Sequence, residues 1–147
     1  MYDLIIIGGG PAGITAGIYG ARKKLRTLLI AKDFFGQVAK TGRIDNWPGE
    51  FGIHGMGLMK KFKDHLKKFD VKIQEGEEVV KVNPRTITSA GAFGVKLRSM
   101  RSFGAGAGNS EKDNQPGTNL FLVATESKKE FLAKAVIVAT GRNPRML

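Results

Sequence analysis

Three glycines, with a proline and an alanine in the last interval, carry the first chemistry that can be read in this chain. Gly8, Gly10 and Gly13, with Pro11 and Ala12 between the last two, have the spacing G-x-G-x-x-G. In a dinucleotide site the first glycine permits a tight turn, the second lets a pyrophosphate approach the backbone, and the third lets a helix pack closely on a strand. The pattern carries weight only between a strand and a helix, and that is its position here. The run Leu4-Ile5-Ile6-Ile7 precedes it with the look of a buried strand, and Ile14 and Ile18 follow on one face of a helix. Pro11 falls in the first helical turn, where an N–H is unpaired in any case. The free N–H groups of that turn then point at a diphosphate, with the positive end of the helix dipole behind them. The competing reading is a glycine-rich turn in an unrelated α/β protein. Asp33 lies twenty residues past Gly13, the distance at which such sites keep a carboxylate for the adenosine ribose. It can equally cap a turn.

No other residues combine into a catalytic set. The chain has no cysteine, which excludes disulfides, thiolate metal sites and thiol chemistry within it. His54 and His65 are too isolated to form a metal site, and no serine, threonine or aspartate stands in a nucleophile-elbow context. The net charge of +11 raises the question of a nucleic-acid partner. The excess is spread along the chain, however, and its densest cluster, Lys60 to Lys68, alternates with Met59, Phe62, Leu66 and Phe69 at steps of three and four. That is the pattern of a core-facing helix with a solvated lysine face, so no nucleic-acid partner is expected. No apolar run reaches membrane-spanning length, and the expectation is a cytoplasmic protein without membrane contact.

The elements that must hold the glycine loop follow from periodicity. Strands are expected at 3–7, 26–31, 71–75, 78–82, 119–125, 130–133 and 135–139, and helices at 11–23 and 56–69, with a loop from the second strand to about residue 54. Strand and helix alternating at the front imply a parallel sheet. The polar turn Glu126-Ser127-Lys128-Lys129 between strand-like runs implies an antiparallel hairpin. The fold class is therefore α/β, a Rossmann-like dinucleotide-binding domain in which a parallel sheet with helices carries a small appended antiparallel β meander. Residues 1–147 read as one domain with a flexible insertion at 83–118, where glycines, asparagines and prolines are dense. A binding lid carrying Lys96, Arg98 and Arg101 is the alternative for that stretch.

The run Tyr2 to Gly13, followed by Ile18-Tyr19-Gly20-Ala21-Arg22, resembles the amino-terminal FAD segment of bacterial and archaeal thioredoxin reductases. Three later motifs resemble the same family in the same order: Gly36-Gln37-Val38 its G-G-Q loop, Asp45-Asn46-Trp47-Pro48-Gly49 its E-N-W-P-G motif, and Ala139-Thr140-Gly141-Arg142-Asn143-Pro144-Arg145 its A-T-G-x-x-P-R. The resemblance implies FAD as cofactor. Gly8, Gly10, Pro11, Ala12 and Gly13 would line the pyrophosphate, and Gln37, in the loop opened by Gly36, and Asn46 would hydrogen-bond near the flavin. Thr140 and Gly141 would pass close to the cofactor backbone. The family's ribose carboxylate falls at Ala31 here, which leaves Asp33 to serve instead.

Departures from the family pattern are also visible. Phe35 stands where the first glycine of G-G-Q is usual, and Gly17 and Gly20 stand where the family tends to have alanine, a cost of ~1 kcal/mol each in a helix interior. In the family an NADPH domain with a Cys-x-x-Cys and a second FAD segment follow the A-T-G motif, so the expectation is an incomplete FAD-binding domain that is not active alone. Its partners would be FAD and a complementing reductase chain or a second copy of itself. The alternatives are a fragment of a cysteine-free NAD(P)H-dependent flavin or ferredoxin reductase, a non-catalytic nucleotide-binding module, or half of a split reductase.

Overall fold

The unbroken apolar run of the first strand is explained by burial on both faces of a sheet. The computed structural model describes residues 1–34, 36–87 and 118–141. Its elements are β1 (Tyr2–Ile7), α1 (Pro11–Arg22), β2 (Thr27–Ala31), α2 (Gly36–Ala39), β3 (Arg43–Ile44), β4 (Ile53–His54), α3 (Gly55–Leu66), β5 (Val71–Glu75), β6 (Val79–Ile87), β7 (Thr118–Thr125) and β8 (Glu130–Val138). Six strands form one sheet in the order β5-β2-β1-β8-β7-β6, and β3 and β4 form a separate two-stranded ribbon. The pairs β5–β2, β2–β1 and β1–β8 are parallel, while β8–β7 and β7–β6 are antiparallel. This is the parallel sheet with an antiparallel meander that the sequence implies.

Side chains of β1 alternate between two cores. Leu4 and Ile6 join Ile14, Leu29, Phe34, Met59 and Leu66 under α1 and α3. Ile5 and Ile7 join Leu28, Ile30, Val123 and Ala133, so the meander shields the opposite face. Each fully buried isoleucine or leucine contributes about 1.5–3 kcal/mol of transfer free energy. In α3 the expected stripe is present: Met59 and Leu66 are buried, Phe62 is half-buried against the edge of Trp47 at a ring distance of 5.2 Å, and Lys60, Lys61, Lys67 and Lys68 are exposed. Gly17 and Gly20 have a packing reason. A Cβ on Gly17 would lie 3.0 Å from Leu66 Cδ1, and one on Gly20 would lie 2.8 Å from Thr27 Oγ1. Both glycines let α1 sit close to its neighbours, which offsets their poor helix propensity. No helix among the described residues is long and apolar enough to cross a membrane.

Three expectations need correction. The strand foreseen at 78–82 runs on to Ile87, with Asn83 to Ile87 paired to Leu122 through Thr118. Pro84 reads as a break, but β6 is an edge strand, where the missing N–H faces away from the ladder. Asn83–Ile87 and Thr118 are therefore strand and not insertion; residues 88–117, including the lid candidates Lys96, Arg98 and Arg101, lie outside the described residues. Second, the two short strands foreseen at 130–133 and 135–139 are one strand. Its first half pairs antiparallel with Phe121 to Ala124 and its second half pairs parallel with β1, and Ala133 faces both Phe121 and Tyr2. Third, the stretch read as loop contains α2, β3 and β4, each too short to show a period.

A buried carboxylate fastens the meander. Glu77, 8% exposed, accepts hydrogen bonds from Lys129 Nζ at 2.7 Å and Ser127 Oγ at 2.6 Å, which ties the β5–β6 connection to the β7–β8 turn. Lys129 first, and then the Ser127 hydroxyl, hold the Glu77 carboxyl down from 4.5 to about 2. A depressed carboxyl contributes stability that is complete above its unfolded value and is lost as pH falls through the folded one. The Glu77→Gln variant is thus expected to melt below wild type at pH 6, with the gap closing between pH 4.5 and 2. Thermal melts across that range check it, and a constant gap would exclude the carboxylate as its cause. Asp3, held well below the usual carboxylate range by Arg26 and then Lys134, is unchanged between the two proteins and cancels in the comparison.

Candidate dinucleotide site

The glycine loop lies at the carboxyl ends of the parallel strands, where the chain has turned from β1 to β2 and β5 on one side while β8 flanks β1 on the other. That reversal of strand order is where open α/β sheets bind ligands. Backbone bonds close the crevice. Gly8 N–H donates to Ile30 O at 2.9 Å, and Ala139 N–H donates to Ile7 O at 2.8 Å.

The glycines divide their work. Gly8 has φ +120°, and a Cβ there would overlap the Ala139 carbonyl oxygen, so only glycine fits both the turn and the wall made by Ala139 and Thr140. Gly9, not singled out above, is also required, since a Cβ would meet Asp33 O at 2.6 Å and Ala31 Cβ at 3.0 Å. As the second of three successive glycines it falls at the unspecified position of G-x-G-x-x-G, so that reading passes over it. Gly13 brings α1 onto the loop, with its would-be Cβ up against the Gly8 carbonyl oxygen. Gly10 is different. Its φ is −77° and ψ 179°, an extended conformation open to any residue, and a Cβ would meet nothing within 4 Å. Neither backbone nor packing demands glycine at Gly10.

Pro11 opens α1, whose N-cap Gly10 supplies no side-chain bond and whose first turn has no acidic residue. Ile14 N–H donates to Gly10 O at 3.0 Å, which leaves the N–H groups of Ala12 and Gly13 without an intrahelical acceptor. These two donors, backed by the helix dipole and uncrowded at Gly10, can hold an anion. The residues present fit a dinucleotide pyrophosphate.

Of the other expected site residues, Asp33 and Thr140 border this loop, whereas no described contact joins Gln37 or Asn46 to it. Asp33 is next to it through its carbonyl against Gly9, and its Oδ1 accepts from Gly36 N–H at 3.0 Å, so the carboxylate caps the turn into α2. Gly36, with φ +44°, starts α2; Phe35 lies outside the described residues. Gln37 is exposed on α2, its carbonyl accepting from Lys40 N–H and Thr41 Oγ1, both at 3.2 Å. Asn46 is exposed on the β3–β4 connection beside Trp47. Thr140 borders Gly8, and Gly141 follows with φ +72°; the rest of that motif, Arg142 to Arg145, is outside the described residues. Sequence reading missed one pair at this end. Lys32 Nζ lies 2.7 Å from Glu78 Oε2, joining the end of β2 to the start of β6. Charges so far apart in sequence carry no local signal.

Comparison with known proteins agrees with this geometry. The family model for pyridine nucleotide-disulphide oxidoreductases matches residues 2–147. Thioredoxin reductase of Bacillus subtilis is 39% identical over 103 residues, covering 68% of this chain and 33% of the relative. Thioredoxin reductase of Buchnera aphidicola is 30% identical over 148 residues, covering 99% and 35%. Among solved structures, the thioredoxin reductase of Lactococcus lactis superposes with a TM-score of 0.72 at 29% identity, over 100% of this chain and 38% of that one. The chain thus spans about a third of the length of the relatives it matches. With the fingerprint at the strand reversal and a family match over nearly every residue, the chain belongs to the pyridine nucleotide-disulphide oxidoreductase family.

Proposed function

We propose that this chain forms the FAD-pyrophosphate site of a cytoplasmic, thioredoxin-reductase-like flavoprotein oxidoreductase. The observation that carries the reading is Gly10, a glycine that the protein's own structure does not require, in front of two unpaired helix N–H groups. In this reading Ala12 and Gly13 donate to the diphosphate, and Pro11 keeps the first turn preformed. Gly8 and Thr140 wall the crevice, with Gly141 beyond them. Gly36, Gln37 and Asn46 stand toward the flavin, and Asp33 stands toward the adenosine. Bound FAD would supply the two-electron chemistry, and none of the 147 residues is a cysteine able to relay those electrons.

Beyond Ala133, β8 has no β7 partner among the described residues, and Ile137 and Val138 are exposed there. A strand with one edge unpaired among the described residues and flanked by apolar side chains supports a complementing reductase chain or a second copy as neighbour. The test is direct. Purified protein mixed with FAD is expected to retain a flavin absorption spectrum through gel filtration or to quench flavin fluorescence saturably at one FAD per chain. Fluorescence unchanged at millimolar FAD would overturn the reading.

A further inference from the structure

Dinucleotide folds place the adenosine ribose at the end of the second strand, where a carboxylate suits a free 2′-hydroxyl and a cation suits a 2′-phosphate. Here the first residue past β2 is a cation, Lys32. It is flanked by Ala31 and Asp33, both of which border Gly9 of the pyrophosphate loop. The β5–β6 connection closes on the same spot, with Gly76 N–H donating to Ala31 O at 2.9 Å. Two residues further on, Glu78 takes the Lys32 ammonium at 2.7 Å.

We propose that the Lys32–Glu78 ion pair makes the adenosine end of this site select a ribose with a free 2′-hydroxyl over one bearing a 2′-phosphate. The inference rests on the FAD reading above, FAD having a free adenosine 2′-hydroxyl. Glu78 raises the Lys32 pKa, and Glu126 and Asp33 act in the same direction from further away. Lys32 is therefore charged, but one carboxylate already holds its charge and two more lie within electrostatic reach. A dianionic 2′-phosphate would have to displace Glu78 and enter negative surroundings, whereas a hydroxyl meets no such cost. Without Glu78 the same lysine becomes a phosphate anchor.

The experiment uses AMP and adenosine 2′,5′-bisphosphate, which differ only in the 2′-phosphate, as competitors of FAD in the fluorescence titration. Wild type is expected to favour AMP. In Glu78→Gln the ratio of the two affinities should move toward the bisphosphate by about tenfold; in Glu78→Gln/Lys32→Met the movement should vanish. Both side chains of the pair are largely exposed, and such pairs contribute little to stability, so these variants fold. A ratio unchanged in Glu78→Gln while FAD still binds overturns the inference and spares the FAD reading. Failure of both competitors to displace bound FAD at millimolar concentration overturns it as well. No FAD binding by wild type removes the FAD reading and this inference together.

Discussion

Replacing Gly10 by valine is expected to lower FAD affinity by about a hundredfold or more, roughly 2.8 kcal/mol, while the melting temperature stays within a few degrees of wild type. Both halves follow from one geometry. The Gly10 backbone is extended and its would-be Cβ contacts nothing within 4 Å, so valine fits the folded chain without strain. Valine is a poorer N-cap than glycine by ~1 kcal/mol, and the reduced freedom of the unfolded chain returns about 0.4–1 kcal/mol. Stability is close to balanced. The branched side chain, however, fills the space in front of the Ala12 and Gly13 N–H groups, where the diphosphate is held in the proposed reading. Flavin-fluorescence titration alongside thermal melts separates the two effects. A variant that binds FAD as wild type does would place the cofactor elsewhere.

The same kind of substitution three residues on should do the opposite. Gly13→Ala is expected to lower the melting temperature by ~6 °C or more, because its Cβ would overlap the Gly8 carbonyl oxygen, an atom fixed in the backbone between β1 and the helix. Alanine gains ~1 kcal/mol of helix propensity over glycine. Relieving an overlap with backbone moves the helix off its strand, against a core that includes Ile6, Ile14 and Leu29, and overpacking of this kind costs about 3 kcal/mol or more. The clash wins. Calorimetry or circular-dichroism melts decide it, and a Gly13→Ala protein as stable as wild type would show that α1 and the loop are not packed as described.

The contrast between Gly10 and Gly13 marks what sequence can and cannot disclose. The fingerprint and its neighbours were legible because β1 is buried on both faces and so spells Leu4-Ile5-Ile6-Ile7 without a polar break, and because the glycine spacing has one dominant use. The stripe Met59, Phe62, Leu66 was legible for the same reason, a long period repeated over several turns. Pro84 misled, since proline breaks central strands but not edges, and nothing local says that β6 is an edge. The single strand β8 was read as two because one half answers to β7 and the other to β1, neighbours more than a hundred residues apart from each other in sequence. At the site, Asp33 had the spacing for a ribose ligand and for a cap alike, and only the bond to Gly36 shows that it caps. The Lys32–Glu78 pair depends on where β6 begins in space, which no spacing rule contains.

Gly8 is walled by Ala139 and Thr140, and β1 receives its β8 partner only from residues 133–138. During synthesis the glycine loop, its helix and β2 therefore leave the ribosome with one side of the crevice missing. At ~5–20 residues per second, the wall arrives several seconds after the floor. A nascent chain carries the whole fingerprint for all of that interval, yet it offers a diphosphate an open ledge and not a crevice. In the proposed reading cofactor capture is tied in this way to the last described strand, and a chain stalled before residue 133 carries its glycine motif without the wall that closes the crevice.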